Sequence, residues 1–141
     1  MTDLKQKLLT KMQGPNVWSL ATVTEDGKPW VRYVSPTLID PDLTIWVATF
    51  ASSRKVAQIR NNPQVHLTMG MTELAPEGTY LQVQTSARVI QDPAEKKRNW
   101  DDHLSAFFSG PEDPNYVLLK LEPYRIEHND MKSMEPEVWE R

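Results

Sequence analysis

Residues 80–90, YLQVQTSARVI, alternate in character with a period of two. Leu81, Val83, Ala87 and Val89 fall on one side, and Gln82, Gln84, Ser86 and Arg88 on the other. Such a run is a strand with one apolar face, and it sets the terms for the rest of the chain. Residues 16–24 (NVWSLATVT) and 29–35 (PWVRYVS) are two more strands. They flank EDGK, whose Asp-Gly pair favours a tight reversal, so the two form a hairpin. Further strands are expected at 43–49, 65–71 and 116–122, the last resuming at 124–127.

Three helices are expected beside them. Leu4, Leu8, Leu9 and Met12 share one face over residues 3–12, and Gly14-Pro15 stops that helix. A short helix lies within residues 52–65. A third starts at Asp92-Pro93-Ala94-Glu95, with proline at the first helical position, and carries Trp100, Leu104, Phe107 and Phe108 on its apolar face. Residues 109–115 form a loop. The tail, residues 129–141, is polar apart from Met131, Met134, Val138 and Trp139, and no structure is assigned to it. The expected fold is mainly β with α: about six antiparallel strands closed into a small barrel, helices outside, one domain over residues 1–141. A parallel α/β sheet is disfavoured, because strands and helices do not alternate.

Composition removes several functions. A net charge of −3, with both signs mixed along 141 residues, gives no basic stripe for nucleic acid. There is no cysteine, so disulfide and thiolate chemistry are absent. His66, His103 and His128 lack metal-ligand spacing, and no metal is expected. No stretch approaches the roughly 20 apolar residues of a membrane span. The run MTDLKQKLLTKMQ is charged rather than signal-like, and a cytoplasmic location is expected.

The short helix SSRKVAQIRNNPQV poses the functional question. Its serines can cap its start, Asn61, Asn62 and Pro63 can end it, and Val56 and Ile59 share a face. Yet Arg54 and Lys55 stand in the first turn, at the positive end of the helix dipole, an unfavourable placement of about 0.3–1 kcal/mol each. A phosphate dianion would satisfy the free N–H groups, the hydroxyls and the cations together. The other reading is a basic turn in water. Arg32, between Trp30 and Val34 on its strand, either finds an anion or faces solvent; alternation alone does not choose. Asp101-Asp102 beside His103 reads as a solvated helix face, with an acid–base pair as the alternative.

The pattern resembles the pyridoxamine 5′-phosphate oxidase-like, FMN-binding split-barrel family, and within it the bacterial general stress branch. SSRKVAQIRNNPQV after a strand ending Val-Ala-Thr, PWVRYVSP before it, and SGPEDPNYVLLKLEP later carry the resemblance over about residues 3–128. It implies a homodimer of six-stranded split barrels with an FMN in each of two clefts between subunits. Arg32, Tyr33, Val34 and Ser35 would line the flavin edge and ribityl chain, and Ala48 and Thr49 would follow on the next strand. Ser53, Arg54 and Lys55 would hold the phosphate. Trp100 and a following phenylalanine, Phe107 or Phe108, would reach the flavin across the dimer. The implied activity is that of an FMN-dependent oxidoreductase of unknown substrate with no assigned catalytic side chain. A flavin sensor or carrier, or an F420- or haem-binding relative, are the alternatives. Tyr80 stands where the true oxidases carry a glutamine, and the tail lacks their Arg-x-His feature, which argues against pyridoxamine phosphate as substrate.

Overall fold

The computed structural model describes residues 3–14 and 17–141. Helix α1 (Asp3–Met12) buries Leu8 and Met12, one turn apart, and closes with the Gln13 and Gly14 N–H groups on the Leu9 and Lys11 carbonyls. Pro15 and Asn16, the expected helix stop and strand start, lie outside the described residues. Strands β1 (Trp18–Val23) and β2 (Pro29–Val34) pair antiparallel from Trp18↔Val34 to Val23↔Pro29. Gly27 takes a φ of 84°, which L side chains disfavour, so the Asp-Gly reversal forms as its residues dictate.

The chain continues through β3 (Leu38–Ile39), β4 (Ile45–Phe50), α2 (Arg54–Asn61), β5 (Gln64–Met69), β6 (Thr79–Ile90), α3 (Pro93–Arg98), a 3-10 turn (Asp102–Ala106), β7 (Tyr116–Asp130) and β8 (Glu137–Glu140). One antiparallel sheet runs in the order β2-β1-β5-β6-β7-β4-β3, with β8 added on β7. The long strands curl around a single core. Leu20, Val47, Leu67, Val83 and Leu119, from successive strands, meet there, joined by Leu8 and Met12 of α1 and Val56 and Ile59 of α2. The end strands β2 and β3 do not pair with each other, so the barrel is split.

Four expectations need correction. The break read at Pro123 is a bulge inside one continuous β7. Gln84 pairs with Arg125 and Thr85 with Pro123, so Tyr124 has no opposite residue, and the proline's missing N–H is absorbed there. The third helix is not continuous. Asp92 accepts the Glu95 N–H as its sequence predicts, but Asn99 turns its amide onto the Glu95 carbonyl (3.0 Å) and accepts from Thr37 (2.7 Å). Asp101 then caps a separate 3-10 turn. The tail is not structureless, since β8 pairs with β7 from Glu140↔Arg125 to Glu137↔His128. The two-residue β3 is also additional; it is too short to show any period.

The outer face of β4 and β7 is also covered. Leu104 and Phe108 of the 3-10 segment pack on Trp46, Tyr116 and Leu118, and Trp100 sets its ring against Tyr116 at 5.5 Å. Arg98 ties this cap down by bonding Asp40 (2.9 Å) and lying over Trp46. No helix among the described residues is long and apolar enough to cross a membrane.

Candidate functional site

A cleft of about 330 Å³ opens where β2, β4, α2 and the 3-10 turn meet. From β2 and the residues after it come Tyr33, Val34, Ser35 and Thr37. Strand β4 gives Val47, Ala48, Thr49 and Phe50, α2 gives Lys55, and the cap gives His103, Leu104 and Phe107. The expected Tyr33, Val34, Ser35, Ala48, Thr49 and Lys55 thus share one cavity, and Phe107, which the resemblance would bring across a dimer, lines it from the same chain. Arg32, Ser53, Arg54 and Trp100 are not among its lining residues.

Ser53 touches it through Thr49, and Arg32 lies near Lys55. Ser53 is the N-cap of α2, but its hydroxyl makes no bond back to the helix; its oxygen accepts from Thr49 at 3.3 Å. The capping expected of it is therefore not made, and the first-turn N–H groups lack that partner. Lys55 donates to the same Thr49 hydroxyl at 2.8 Å. Arg32 shares its side of β2 with Val34, opposite Leu20, while Tyr33 and Val31 face outward. That answers the question alternation left open: Arg32 lies on the core side. Its guanidinium bonds the Leu20 carbonyl (3.2 Å), Thr22 (2.8 Å) and Gln58 (2.9 Å), and Thr22 also donates to Gln58. Arg54 leans the other way, its guanidinium 5.7 Å from the Trp30 ring centre. Trp100, packed on Tyr116, belongs to the cap.

The electrostatics are one-sided. Among the described residues, Arg32, Arg54 and Lys55 form no ion pair with a carboxylate. Burial, and then the nearby Arg32, holds the Lys55 ammonium below the ordinary lysine value; burial, and then Arg54, does the same to Arg32. Arg32 thus feels like-charge repulsion from Arg54 and exerts it on Lys55, and no carboxylate offsets either. An anion placed among them would relieve that repulsion.

Sequence reasoning missed Gln58, four residues after Arg54 and so on the same face of α2, and Thr22, opposite Trp30 in the β1–β2 hairpin. It also set His103 aside. The Asp101 carboxylate accepts both the His103 backbone N–H (3.1 Å) and the ring Nδ1 (2.7 Å), which places the imidazole at the cleft wall. The only sequence signal was the Asp-x-His spacing, which becomes a contact once the helix breaks at Asn99.

Fold and cleft together define an antiparallel split barrel with a basic cluster beside a cleft at one strand–helix junction. Over residues 4–130 the chain matches the family model described as pyridoxamine 5′-phosphate oxidase, and it belongs to that family. It is 36% identical over 124 residues to General stress protein 26 of Bacillus subtilis (strain 168), covering 88% of this chain and 86% of that one. The crystal structure of General Stress Protein 26 from Bacillus anthracis str. Sterne superimposes with a TM-score of 0.84 at 33% identity, over 100% of both chains. The structure of a heme binding protein from Mycobacterium smegmatis shares the fold alone, with a TM-score of 0.76 at 14% identity over 96% of this chain and 57% of that one.

Proposed function

We propose that this chain binds FMN in the cleft and acts as a flavin-dependent oxidoreductase. The observation that carries the reading is the cluster of cations without a carboxylate, Arg32, Arg54 and Lys55, at the start of α2. The donor set fits a phosphate: an ammonium, a serine hydroxyl not used in capping and helix N–H groups lie close together, with Arg32 near Lys55 and Arg54 in the same first turn. The remaining walls fit a flat ring: Val34, Ala48, Leu104 and the exposed Phe107 are apolar, and Tyr33 stands at the edge.

In this reading Ser53, Arg54 and Lys55 hold the phosphate, and Ser35 and Thr49 offer hydroxyls to the ribityl chain. Tyr33, Val34 and Ala48 shape the slot for the ring. Arg32, fixed by Thr22 and Gln58, keeps positive charge near it. The flavin would supply the two-electron chemistry; the protein supplies orientation and charge. A second copy of the chain is the proposed partner, seated on the outer face of β2 and β1, where Val31 and Tyr33 lie in water. Tyr33 also lines the cleft, so the flavin would sit at the subunit boundary. Trp100 does not line the cleft of its own subunit, so any flavin contact it makes is to the partner's.

The test is a visible spectrum of the purified protein followed by FMN titration. A yellow protein, or uptake of FMN by the colourless one, supports the reading; failure of both overturns it. Arg54→Ala with Lys55→Ala removes two charge-assisted contacts of about 1.5–3 kcal/mol each. FMN affinity is expected to fall at least about tenfold with little change in fold. Parallel titrations with F420 and heme separate the other ligands, and turnover with a reduced nicotinamide separates an enzyme from a carrier.

A further inference from the structure

We propose that His103, oriented by Asp101, is the proton-transferring residue of the cleft and serves a planar carbonyl acceptor of the quinone type. The proposal rests on the FMN reading and adds a residue and a substrate class to it. Asp101 holds the imidazole at two points, through the backbone N–H of His103 and through Nδ1. A carboxylate on Nδ1 fixes the tautomer with the proton there and leaves Nε2 as the exchanging atom. Among the described residues Nε2 has no hydrogen-bond partner, and the ring lies in the wall of the cleft. The same hydrogen bond, foremost among the causes, holds the Asp101 carboxyl below its usual range. Exposed as it is, the pair contributes little to stability, so its effect is orientation.

The groups around the imidazole favour this assignment. Tyr33 and Lys55 are the other titratable residues lining the cleft, and Lys55 is engaged with Thr49 at the phosphate end. Asp102, next in sequence to Asp101, makes no side-chain bond to the ring. Phe107 and Phe50, edge to face at 6.4 Å, give the mouth beside His103 an aromatic wall for a flat, uncharged ring. A quinone that receives a hydride, two electrons and one proton, from reduced FMN still needs one proton at oxygen. The Nε2–H bond of the imidazolium breaks as that O–H bond forms, and water then reprotonates the imidazole. A reduced nicotinamide dinucleotide would supply the hydride consumed, with its two electrons, leaving as its oxidised form.

The test compares wild type with His103→Gln, Asp101→Asn and the control Asp102→Asn, all loaded with FMN. All four are assayed at saturating FMN, so that a change in affinity does not enter the rates. In wild type, the NMR resonances of the His103 ring are expected to shift when FMN binds. With a soluble naphthoquinone and a reduced nicotinamide, His103→Gln is expected to lose about 100-fold in kcat together with the alkaline limb of its pH profile. Asp101→Asn is expected to lose part of that rate through the freed ring, and Asp102→Asn to match wild type. Normal FMN uptake with a His103→Gln rate and profile equal to wild type overturns the proposal and leaves the flavin reading standing. A wild type that takes up no FMN overturns both.

Discussion

The outer surface of the sheet is treated in two ways. Over β4 and β7 the chain covers itself: Trp46 is 2% exposed and Leu118 0%, under Leu104 and Phe108. Among the described residues nothing covers the outer face of β2, and Val31 and Tyr33 are 65% and 79% exposed. Both regions carry large apolar side chains outside the barrel, so hydrophobicity alone does not separate them. What differs is the connection that follows. The link from β6 to β7 is long enough to fold α3 and the 3-10 turn back across the sheet, whereas β1 and β2 are joined by a tight turn with nothing to spare. The cleft lies on the border between the two, with walls from the covered side and an edge, Tyr33, from the bare one.

The largest expected effect breaks the covered side. Leu118→Ala removes a fully buried side chain beneath the cap and is expected to cost about 2–5 kcal/mol in urea unfolding. A cost below 1 kcal/mol would show that the cap does not pack as described. The bare side should answer differently. Val31→Lys, at an exposed position, is expected to shift the proposed dimer to monomer in light scattering while the monomer keeps its fold. A wild type that is already monomeric would remove the proposed second copy.

The smallest effect concerns the latch between cap and sheet. Burial opposes ionisation of Asp40, but hydrogen bonds from Arg98 and Trp46 outweigh it and hold the carboxyl below its ordinary value of 3.8. A carboxyl with a lowered folded pKa adds stability above the unfolded value and loses it as pH falls through the folded one. Stability is therefore expected to drop below about pH 4, and Asp40→Asn should flatten that drop while costing about 1 kcal/mol or less at neutral pH. An unchanged acid limb in Asp40→Asn would show that the latch is slack.

The same contrast explains what the sequence could reveal. The hairpin at Asp26-Gly27, the α2 boundaries and the alternation of β6 are local, and each formed where its residues indicated. Pro123 misled because proline usually ends a strand, and only the register opposite Thr85 shows that the ladder tolerates it. The helix break depended on Thr37, distant in sequence, reaching Asn99. For the site, Lys55 and its neighbours were legible because a basic first turn opposes the helix dipole whatever surrounds it. Which face Arg32 takes, and that His103 stands in the same cleft, are tertiary facts that no local pattern carries.

Strand β8 has a consequence of its own. It lies along the later half of β7, as β4 lies along the earlier half, and Glu137 fastens it to Lys7 of α1 at 2.6 Å. A chain lacking residues 137–141 would leave unpaired those backbone groups of Arg125 to His128 that face away from β6, a template for strands of neighbouring molecules. These few residues act as a guard against fibrous self-association, and shortened versions of the protein should cloud on standing before they lose their fold.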